Sequence, residues 1–300
     1  MSPKAAFVAV AGRPSVGKST LINRICGGKI AIVSPVPQTT RNAVRGILNA
    51  AEGQLVFVDT PGRHASEKKI NKKLMEVSDR SIAESDLVLY LLDASRPPGS
   101  EEEAIAESLG GIPDPEKKLA AAVNKIDAAG ADPEKARAFL SEKIPRLAPE
   151  RIFSVSALKN QGLPALLSCL FSMAETGAPF YPSDIYTDQD VRFRIAEIVR
   201  EKAMLRLREE LPHSIYVEVA DAELRDGGKR LWVRAFIMVE RESQKGMVVG
   251  KGGELIKAIR LAALGDLARI FDWKIDLDLR VKTSRDWRHS DAVLGRIFER

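Results

Sequence analysis

An eight-residue glycine-rich segment, Gly12-Arg-Pro-Ser-Val-Gly-Lys-Ser19, constrains the fold of this 300-residue chain more than any other feature. It follows the apolar run Phe7–Ala11 and opens a segment with helical spacing of apolar residues. The pattern G-x-x-x-x-G-K-[ST] between a strand and a helix forms a loop whose backbone N–H groups surround phosphates. We expect Lys18 to contact β- and γ-phosphate oxygens and Ser19 to ligate Mg²⁺.

Short apolar runs alternate with helical patterns in the first part of the chain, which predicts a doubly wound α/β domain with a largely parallel sheet. The predicted strands are Phe7–Ala11, Leu55–Val58, Leu87–Leu92 and Leu119–Val123. The helix candidates include 18–26 and 71–84.

Composition excludes several classes of protein. Two cysteines cannot build a disulfide framework, and three dispersed histidines do not have the spacing of a zinc site. The longest apolar run, Leu87–Leu92, ends at Asp93 and is far too short to span a membrane. We therefore expect a soluble intracellular protein.

A second motif follows the strand Leu55–Val58, where Asp59-Thr60-Pro61-Gly62 provides a carboxylate and a glycine beside the phosphate loop. We expect Asp59 to hold Mg²⁺ through water and the Gly62 N–H to meet the γ-phosphate. Between these motifs lies Gln38-Thr39-Thr40-Arg41, in a stretch typical of a switch that supplies a threonine to Mg²⁺. Thr40 is the predicted ligand and Thr39 the alternative.

The motif Asn124-Lys125-Ile126-Asp127 follows the strand Leu119–Val123 and predicts which nucleotide base is bound. A carboxylate at Asp127 can accept hydrogen bonds from guanine N1–H and the exocyclic amine, a pair that adenine does not present. Asn124 can brace the loop, and Lys125 can lie along the ring. Ser156-Ala157 can supply a backbone N–H to guanine O6.

Together these motifs predict a set of catalytic, guanine-nucleotide and metal-binding residues. The catalytic residues are Lys18, Thr40, Asp59 and Gly62, and the metal ligands are Ser19, Thr40 and Asp59. The nucleotide-binding residues are Gly12, Arg13, Pro14, Ser15, Val16, Gly17, Lys18, Ser19, Thr20, Asp59, Thr60, Pro61, Gly62, Arg63, Asn124, Lys125, Ile126, Asp127, Ser156 and Ala157.

The charge and the order of predicted elements change after the Pro- and Gly-containing stretch Thr176–Ser183. Residues 190–300 hold 23 basic and 19 acidic residues, so they carry most of the formal net charge of +5. Their pattern predicts the order helix, strand, strand, helix, helix, strand, with a hairpin turn at Asp226–Gly228. Gly250-Lys-Gly-Gly253 before a helix resembles the GXXG loop of a type II KH module, in which glycines admit the RNA backbone.

The first four motifs in this order resemble the Ras-like G domain, and the wordings GRPSVGKST, QTTR, DTPGRH and NKID are similar to those of bacterial Era-type GTPases. The segments Glu209–His213, Val239–Lys245, Gly250–Gly253 and Trp287–Arg288 resemble the second domain of the same family. The resemblance covers nearly the whole chain. It implies an α/β Ras-like P-loop GTPase domain at 1–175, a linker at 176–189 and a smaller α+β type II KH domain at 190–300.

The family resemblance implies slow, Mg²⁺-dependent hydrolysis of GTP to GDP and phosphate. It also implies that the KH domain binds the 3′ end of small-subunit (16S) rRNA, that the protein assists 30S subunit assembly, and that hydrolysis promotes release. A cytoplasmic monomer is expected; the family also allows peripheral membrane contact, although the sequence shows no amphipathic anchor. The predicted RNA-binding residues are Arg241, Gln244, Lys245, Gly250, Lys251, Gly252, Gly253, Lys257 and Lys282.

The chain departs from the family pattern at three places. Arg63 stands where Ras-type proteins carry a water-orienting glutamine and Era-type proteins an aliphatic residue; it either faces solvent, the favoured interpretation, or reaches the γ-phosphate as a cation in cis. Ser15 replaces an asparagine that helps related GTPases hold potassium, so weak or absent potassium stimulation is expected. Arg260 and Leu264 replace an expected glycine and arginine, which puts one phosphate contact in doubt.

Two other functions compete with this one. A G-domain GTPase of tRNA modification or translation would lack a KH tail, and the Gly250 loop argues against it. An RNA-binding scaffold would hold nucleotide only as a structural plug, and Lys18→Ala separates that case from a switch. Trp287 either stacks on a base or packs at the edge of the core, the favoured interpretation.

Overall fold

A computed structural model of the chain describes residues 2–37, 39–62, 69–112 and 118–298. These residues form two compact units. Unit 1 comprises the described parts of 1–31 and 40–188, and unit 2 comprises those of 32–39 and 189–300. Within the described ranges, no helix is both long and apolar enough to cross a membrane.

Unit 1 is a twisted sheet with helices in the connections between its strands, as the alternating pattern predicts. Its strands are β1 (Lys4–Ala11), β2 (Val44–Ala50), β3 (Gly53–Asp59), β4 (Leu87–Asp93), β5 (Lys118–Asn124), β6 (Ile152–Ser154) and β7 (Glu175–Thr176). Its helices are α1 (Lys18–Ile25), α2 (Lys69–Glu84), α3 (Ser100–Gly110), α4 (Pro133–Lys143) and α5 (Leu163–Met173).

The strand order is β2-β3-β1-β4-β5-β6, and β7 pairs with β1. The core strands are parallel, whereas β2 and β7 are antiparallel to their neighbours. All four strands predicted from apolar runs are present, because residues buried on both faces of a parallel sheet must be continuously apolar. Strand β2 was not predicted, since Arg45, Gly46 and Asn49 interrupt its apolar pattern.

The carboxyl ends of the parallel strands meet at one edge of this sheet. Val10 of β1 pairs with Asp59 of β3, and Asp93 of β4 pairs with Asn124 of β5. Strand β1 lies between β3 and β4, so the strand order reverses at β1, and this edge contains the topological switch point at which α/β sheets bind ligands.

The segment predicted as a linker, 176–189, lies in unit 1 as far as Asp188. The Gln54 side-chain oxygen accepts hydrogen bonds from the backbone N–H groups of Phe180 and Tyr181 at 2.8 and 3.0 Å. Arg45 pairs with Asp188 at 2.8 Å. These contacts attach the segment to strands β2 and β3 of unit 1.

Unit 2 has the predicted helix–strand–strand–helix–helix–strand order, with one short and one terminal helix added. Its elements are α6 (Val191–Met204), α7 (Leu211–Ser214), β8 (Tyr216–Arg225), β9 (Arg230–Val239), α8 (Glu242–Val249), α9 (Glu254–Ile270), β10 (Lys274–Thr283) and α10 (Asp291–Phe298). Strand β9 is central, antiparallel to β8 and parallel to β10. The hairpin turn lies at Asp226–Gly228, as the sequence predicts.

One face of the unit 2 sheet is apolar and is covered by α6 and α9, which are the helices that contribute most to its core. Val233, Ala235 and Ile237 alternate along β9 toward this core, and the intervening residues face the other side. Val36, from the segment 32–39, packs against the same core. This segment is thus part of unit 2 although it lies early in the sequence.

Candidate functional site

The phosphate loop joins β1 to α1 at the carboxyl edge of the unit 1 sheet. Gly17 precedes the helix with a φ of +103°, and a Cβ on it would lie 2.5 Å from the Asn124 side-chain nitrogen. A glycine is therefore required both by the left-handed backbone and by the close approach of the base-recognition loop. The loop ends at the N-terminus of α1, where backbone N–H groups and the helix dipole favour an anion.

Lys18 lies inside this loop. Its ammonium donates hydrogen bonds to the carbonyl oxygens of Gly12 at 2.9 Å and Arg13 at 3.0 Å, and its side chain is buried. Burial lowers the pKa of Lys18 to about 8, with Asp59 opposing and Arg13 adding to the shift. The phosphate loop therefore holds the Lys18 ammonium group, which is predicted to contact the phosphates.

The three predicted metal ligands lie together. Ser19 Oγ donates to Asp59 Oδ2 at 2.7 Å and lies 3.0 Å from Thr40 Oγ1, which itself is 3.2 Å from Asp59 Oδ2. Burial raises the pKa of Asp59, against the opposing effects of Lys18, Ser19 and Thr40. Asp59 Oδ1 is buried and has no hydrogen-bond partner among the described residues.

This donor set fits Mg²⁺. A carboxylate and two hydroxyls are hard oxygen ligands, and a buried carboxylate oxygen without a partner is the position at which a cation or its water would compensate the lost hydration. In the described ranges, no group of three or more His, Cys, Asp or Glu residues could hold a metal ion.

The hydroxyl of Thr39, the alternative ligand, has other partners. It donates to the Val36 carbonyl oxygen at 2.5 Å and lies 2.8 Å from Ser34 Oγ, within the unit 2 segment 32–39. The geometry therefore favours Thr40 over Thr39 as the metal ligand.

Asn124 braces the base-recognition loop against the phosphate loop. Its side-chain nitrogen donates to the Val16 carbonyl at 2.9 Å, and its side-chain oxygen accepts from the Ala157 N–H at 3.1 Å. Asp127 is exposed at the mouth of this loop. The Ser156 N–H donates to Gln161 O at 3.1 Å, so a guanine O6 here would share the Ala157 N–H with Asn124.

The structure also assembles a charged cluster that the motifs did not predict. Asp93, at the end of β4, accepts hydrogen bonds from Arg13 Nη2 and Lys125 Nζ, each at 2.7 Å. Arg13 Nε lies 2.6 Å from Glu102 Oε1 of α3. Asp93 was visible in the sequence as the charged residue that ends an apolar strand, the same signal that identified Asp59.

Gly62 is packed against Pro14, and a Cβ on it would lie 2.6 Å from the Pro14 nitrogen. Its backbone can therefore come close to the phosphate loop, which suits the predicted N–H contact. Arg63 lies outside the described residues.

In unit 2 the loop Gly250–Gly253 separates α8 from α9. Gly250 has a φ of +77° and a Cβ on it would lie 2.7 Å from the Leu255 Cβ, so a side chain is excluded there. The 17-residue helix α9 starts directly after the loop with no side-chain cap. Its first N–H groups remain open to an anion.

The predicted RNA-binding side chains differ in their contacts. Arg241, Lys251 and Lys257 are exposed, and no carboxylate of the described ranges pairs with them. Lys245 pairs with Glu242 at 2.7 Å, and Lys282 lies 3.6 Å above the Phe236 ring. Gln244 accepts from the N–H groups of Glu240 and Arg241 and so caps α8.

Trp287 and Leu264 both belong to the packed interior of unit 2. Trp287 is fully buried, donates from Nε1 to the Ser214 carbonyl at 3.0 Å and packs on Tyr216 with ring centroids 5.0 Å apart. It is a core residue, as expected. Leu264, where an arginine was expected, packs against the core of unit 2.

Comparisons with known proteins find similar domains for both units. The family model described as "50S ribosome-binding GTPase" matches residues 7–125, and the KH domain model matches residues 210–288. GTPase Era of Treponema denticola is 49% identical over 97% of this chain and 98% of its own length. GTPase Era of Borrelia garinii subsp. bavariensis is 42% identical over 98% of this chain and 99% of its own.

Two solved structures are similar over both units. A crystal structure of Era in complex with MgGDPNP and nucleotides 1506–1542 of 16S ribosomal RNA has a TM-score of 0.91 and 34% identity, covering 99% of this chain and 98% of that one. An Aquifex aeolicus Era variant bound to GDP and AlF4⁻ has the same score and identity, covering 98% of each chain. With relatives this similar over nearly their full length, the chain belongs to the Era family of GTPases, in which a Ras-like G domain is followed by a KH domain.

Proposed function

We propose that this protein is a Mg²⁺-dependent GTP switch whose KH unit binds the 3′ region of 16S rRNA and which acts in assembly of the 30S subunit. Hydrolysis of GTP to GDP and phosphate promotes release of the RNA. The observation that carries the proposal is the meeting of Ser19, Thr40 and Asp59 beside the buried Lys18, in a chain whose second unit presents a GXXG loop. The solved Era complex with MgGDPNP and 16S RNA supports it.

The nucleotide chemistry follows from the residues of unit 1. Water attacks the γ-phosphorus as the bond to GDP breaks, and negative charge on the phosphoryl oxygens must be neutralised. The Lys18 ammonium supplies a fixed positive charge in the phosphate loop. When bound by Ser19, Thr40 and Asp59, Mg²⁺ supplies further positive charge to the β- and γ-phosphates. Gly62 donates its N–H to the γ-phosphate.

Guanine is recognised by Asp127, and Asn124 fixes the distance between the base-recognition and phosphate loops. In unit 2, the glycines of the Gly250 loop admit an RNA backbone. Arg241, Lys251 and Lys257 add exposed positive charge, and the N-terminus of α9 adds backbone N–H groups. Residues 190–300 thus form the RNA-binding module.

The chain path suggests how nucleotide and RNA binding are coupled. In the segment 32–39, the Val33 N–H donates to Glu201 Oε1 at 2.9 Å, and the Thr39 carbonyl accepts from Arg200 Nη2 at 2.5 Å. Both partners are on α6 of unit 2. The next residue, Thr40, is a predicted metal ligand in unit 1, so a change at the metal is transmitted along the backbone to this segment.

Lys18→Ala distinguishes the switch from a scaffold that holds nucleotide as a structural plug. A switch loses nucleotide-dependent release of RNA, whereas a scaffold keeps both its RNA affinity and its cellular role. RNA crosslinking with sequencing, in the GTP-analogue and GDP forms, tests the partner. Enrichment of the 3′ end of 16S rRNA is expected; its absence would overturn the ribosomal role but leave the GTPase activity.

A cytoplasmic site of action follows from the proposed partner. Two finer properties belong to the same proposal. The protein is monomeric, which light scattering after gel filtration tests. Any membrane contact is peripheral, which flotation with lipid vesicles tests.

A further inference from the structure

The carboxylate of Asp93 connects two loops that are far apart in sequence. Asp93 Oδ2 accepts from Arg13 Nη2 and from Lys125 Nζ, each at 2.7 Å. Its other oxygen, Oδ1, accepts from the Ser95 N–H at 3.0 Å and the Ser95 hydroxyl at 2.5 Å. The Asp93 side chain is 2% exposed. These four hydrogen bonds fix the carboxylate in one orientation.

The two cations belong to the two halves of the nucleotide site. Arg13 follows Gly12 in the phosphate loop, and Lys125 follows Asn124 in the base-recognition loop. Lys125 also donates to the Ser15 carbonyl at 2.8 Å and has a left-handed backbone with a φ of +64°. The lysine predicted to lie along the guanine ring is thus held at its end by Asp93 and the phosphate loop.

Glu102, the other buried carboxylate of the cluster, has a different role. It lies 2.6 Å from Arg13 Nε and 3.2 Å from Arg96 Nη2, and its Oε2 accepts from the Gly99 N–H at the start of α3. Within the described part of the chain, no hydrogen bond or ion pair joins Glu102 to Lys125. Arg13 therefore keeps an ionic partner when Asp93 is neutralised, whereas, among the residues that the structure describes, Lys125 keeps only the Ser15 carbonyl.

We propose that Asp93 is a positioning residue for guanine-nucleotide binding. It holds the Lys125 side chain in place for the base and connects that side chain to the phosphate loop. A free lysine side chain loses conformational entropy when it is ordered. Asp93 orders Lys125 before the nucleotide arrives, so that this cost falls on folding and not on binding. The inference rests on nucleotide binding by unit 1.

The charges of the cluster support this assignment. Burial by itself raises the pKa of Asp93, but hydrogen bonds from Lys125 and Ser95 outweigh it and hold the pKa below its ordinary value. The carboxylate is therefore ionised at neutral pH. The Asp93→Asn substitution removes this charge with almost no change of volume.

The test measures binding and release of a fluorescent GDP derivative by the full-length protein. Asp93→Asn is expected to raise the dissociation constant by about 10- to 100-fold, mainly through faster release. Hydrolysis in a single turnover at saturating GTP stays within about threefold of the parent rate, because Asp93 does not touch the reacting atoms. Glu101→Gln, on the partly exposed rim of the cluster, is the matched control and leaves the affinity unchanged.

A double-mutant cycle shows whether Asp93 acts through the lysine. In the Lys125→Met background, Asp93→Asn should raise the dissociation constant by less than about twofold. If Asp93 had only a general structural role, Asp93→Asn would have its full effect in both backgrounds. If Asp93→Asn does not fold, Ser95→Ala removes one bond to Oδ1 and keeps every charge. It is expected to weaken binding about two- to fivefold.

The outcomes separate this inference from the proposed function. If the parent protein does not bind guanine nucleotide, the proposed function is wrong. If the parent binds and Asp93→Asn binds equally well, or if its effect is unchanged in the Lys125→Met background, only the role of Asp93 is wrong.

Discussion

The Thr40 hydroxyl oxygen lies 3.2 Å from Asp59 Oδ2, so two residues from different motifs meet at a buried carboxylate. The other oxygen of this carboxylate, Oδ1, has no hydrogen-bond partner in the described ranges. Ser19 completes the group. These contacts favour Thr40 over the adjacent Thr39 as the metal ligand of the switch.

The first prediction separates these threonines. Thr40→Ala should lower the rate of single-turnover GTP hydrolysis at least about tenfold and weaken its dependence on Mg²⁺, because one oxygen ligand is lost. Thr39→Ala removes bonds to Ser34 and Val36 but no ligand, and its rate should fall less than about threefold. The reverse order of effects would make Thr39 the ligand.

The second prediction concerns pH. Burial lowers the pKa of Lys18 to about 8, so its ammonium loses its proton above that pH in the nucleotide-free protein. Phosphate favours the charged form, so binding takes up a proton there, and GDP affinity should fall about tenfold per pH unit above 8. Titrations between pH 7 and 9.5 measure this. Lys18→Met should lack this component.

The same shift predicts how stability changes. Between pH 8 and the ordinary lysine value of 10.5, the unfolded chain binds more protons than the folded one. The contribution of Lys18 to the free energy of unfolding of the nucleotide-free protein therefore rises with pH over this range. Urea unfolding of the parent and of Lys18→Met at pH 7.5 and 9.5 measures the difference, and equal pH dependences would contradict the low pKa.

A third prediction addresses RNA. Lys251→Ala and Lys257→Ala should each weaken binding to single-stranded RNA and reduce the slope of log affinity against log salt by about 0.7, the value for one lost phosphate contact. Lys229→Ala, an exposed lysine in the β8–β9 turn, is the control and should change neither quantity. An unchanged slope for both test variants would place the RNA elsewhere.

A fourth prediction concerns potassium. Ser15 is exposed, and its backbone carbonyl accepts from Lys125 at 2.8 Å. Its hydroxyl is shorter than the asparagine side chain expected from the family motif, so hydrolysis rates in potassium and sodium buffers should agree within about twofold. Ser15→Asn should introduce a preference for potassium. A large preference in the parent protein would contradict this account.

A fifth prediction tests the coupling through the segment 32–39. Arg200→Ala removes the bond to the Thr39 carbonyl, and we expect it to reduce the ratio of RNA affinities between the GTP-analogue and GDP forms at least about threefold. GDP affinity should change less than twofold. Arg206→Ala, an exposed arginine beyond the end of α6, is the control. Glu201→Gln, which weakens the contact to Val33, should act in the same direction as Arg200→Ala.

Local patterns predicted the strands, the helix after the phosphate loop and the KH order, since periodicity and turn residues report on nearby backbone. They could not predict the Asp93 contacts with Arg13 and Lys125, which require β1, β4 and β5 to lie side by side. Strand β2 was missed because pairing with β3 stabilises a sequence with little apolar character of its own. The place of residues 32–39 in unit 2 likewise depends on tertiary packing.

The most direct test of a nucleotide-controlled RNA switch is the dissociation constant of the full-length protein for a labelled RNA with the sequence of the 3′ end of 16S rRNA. It is measured with Mg²⁺ and a non-hydrolysable GTP analogue, and again with Mg²⁺ and GDP. We predict binding at least about tenfold tighter with the GTP analogue. Equal affinities in the two states would contradict the switch.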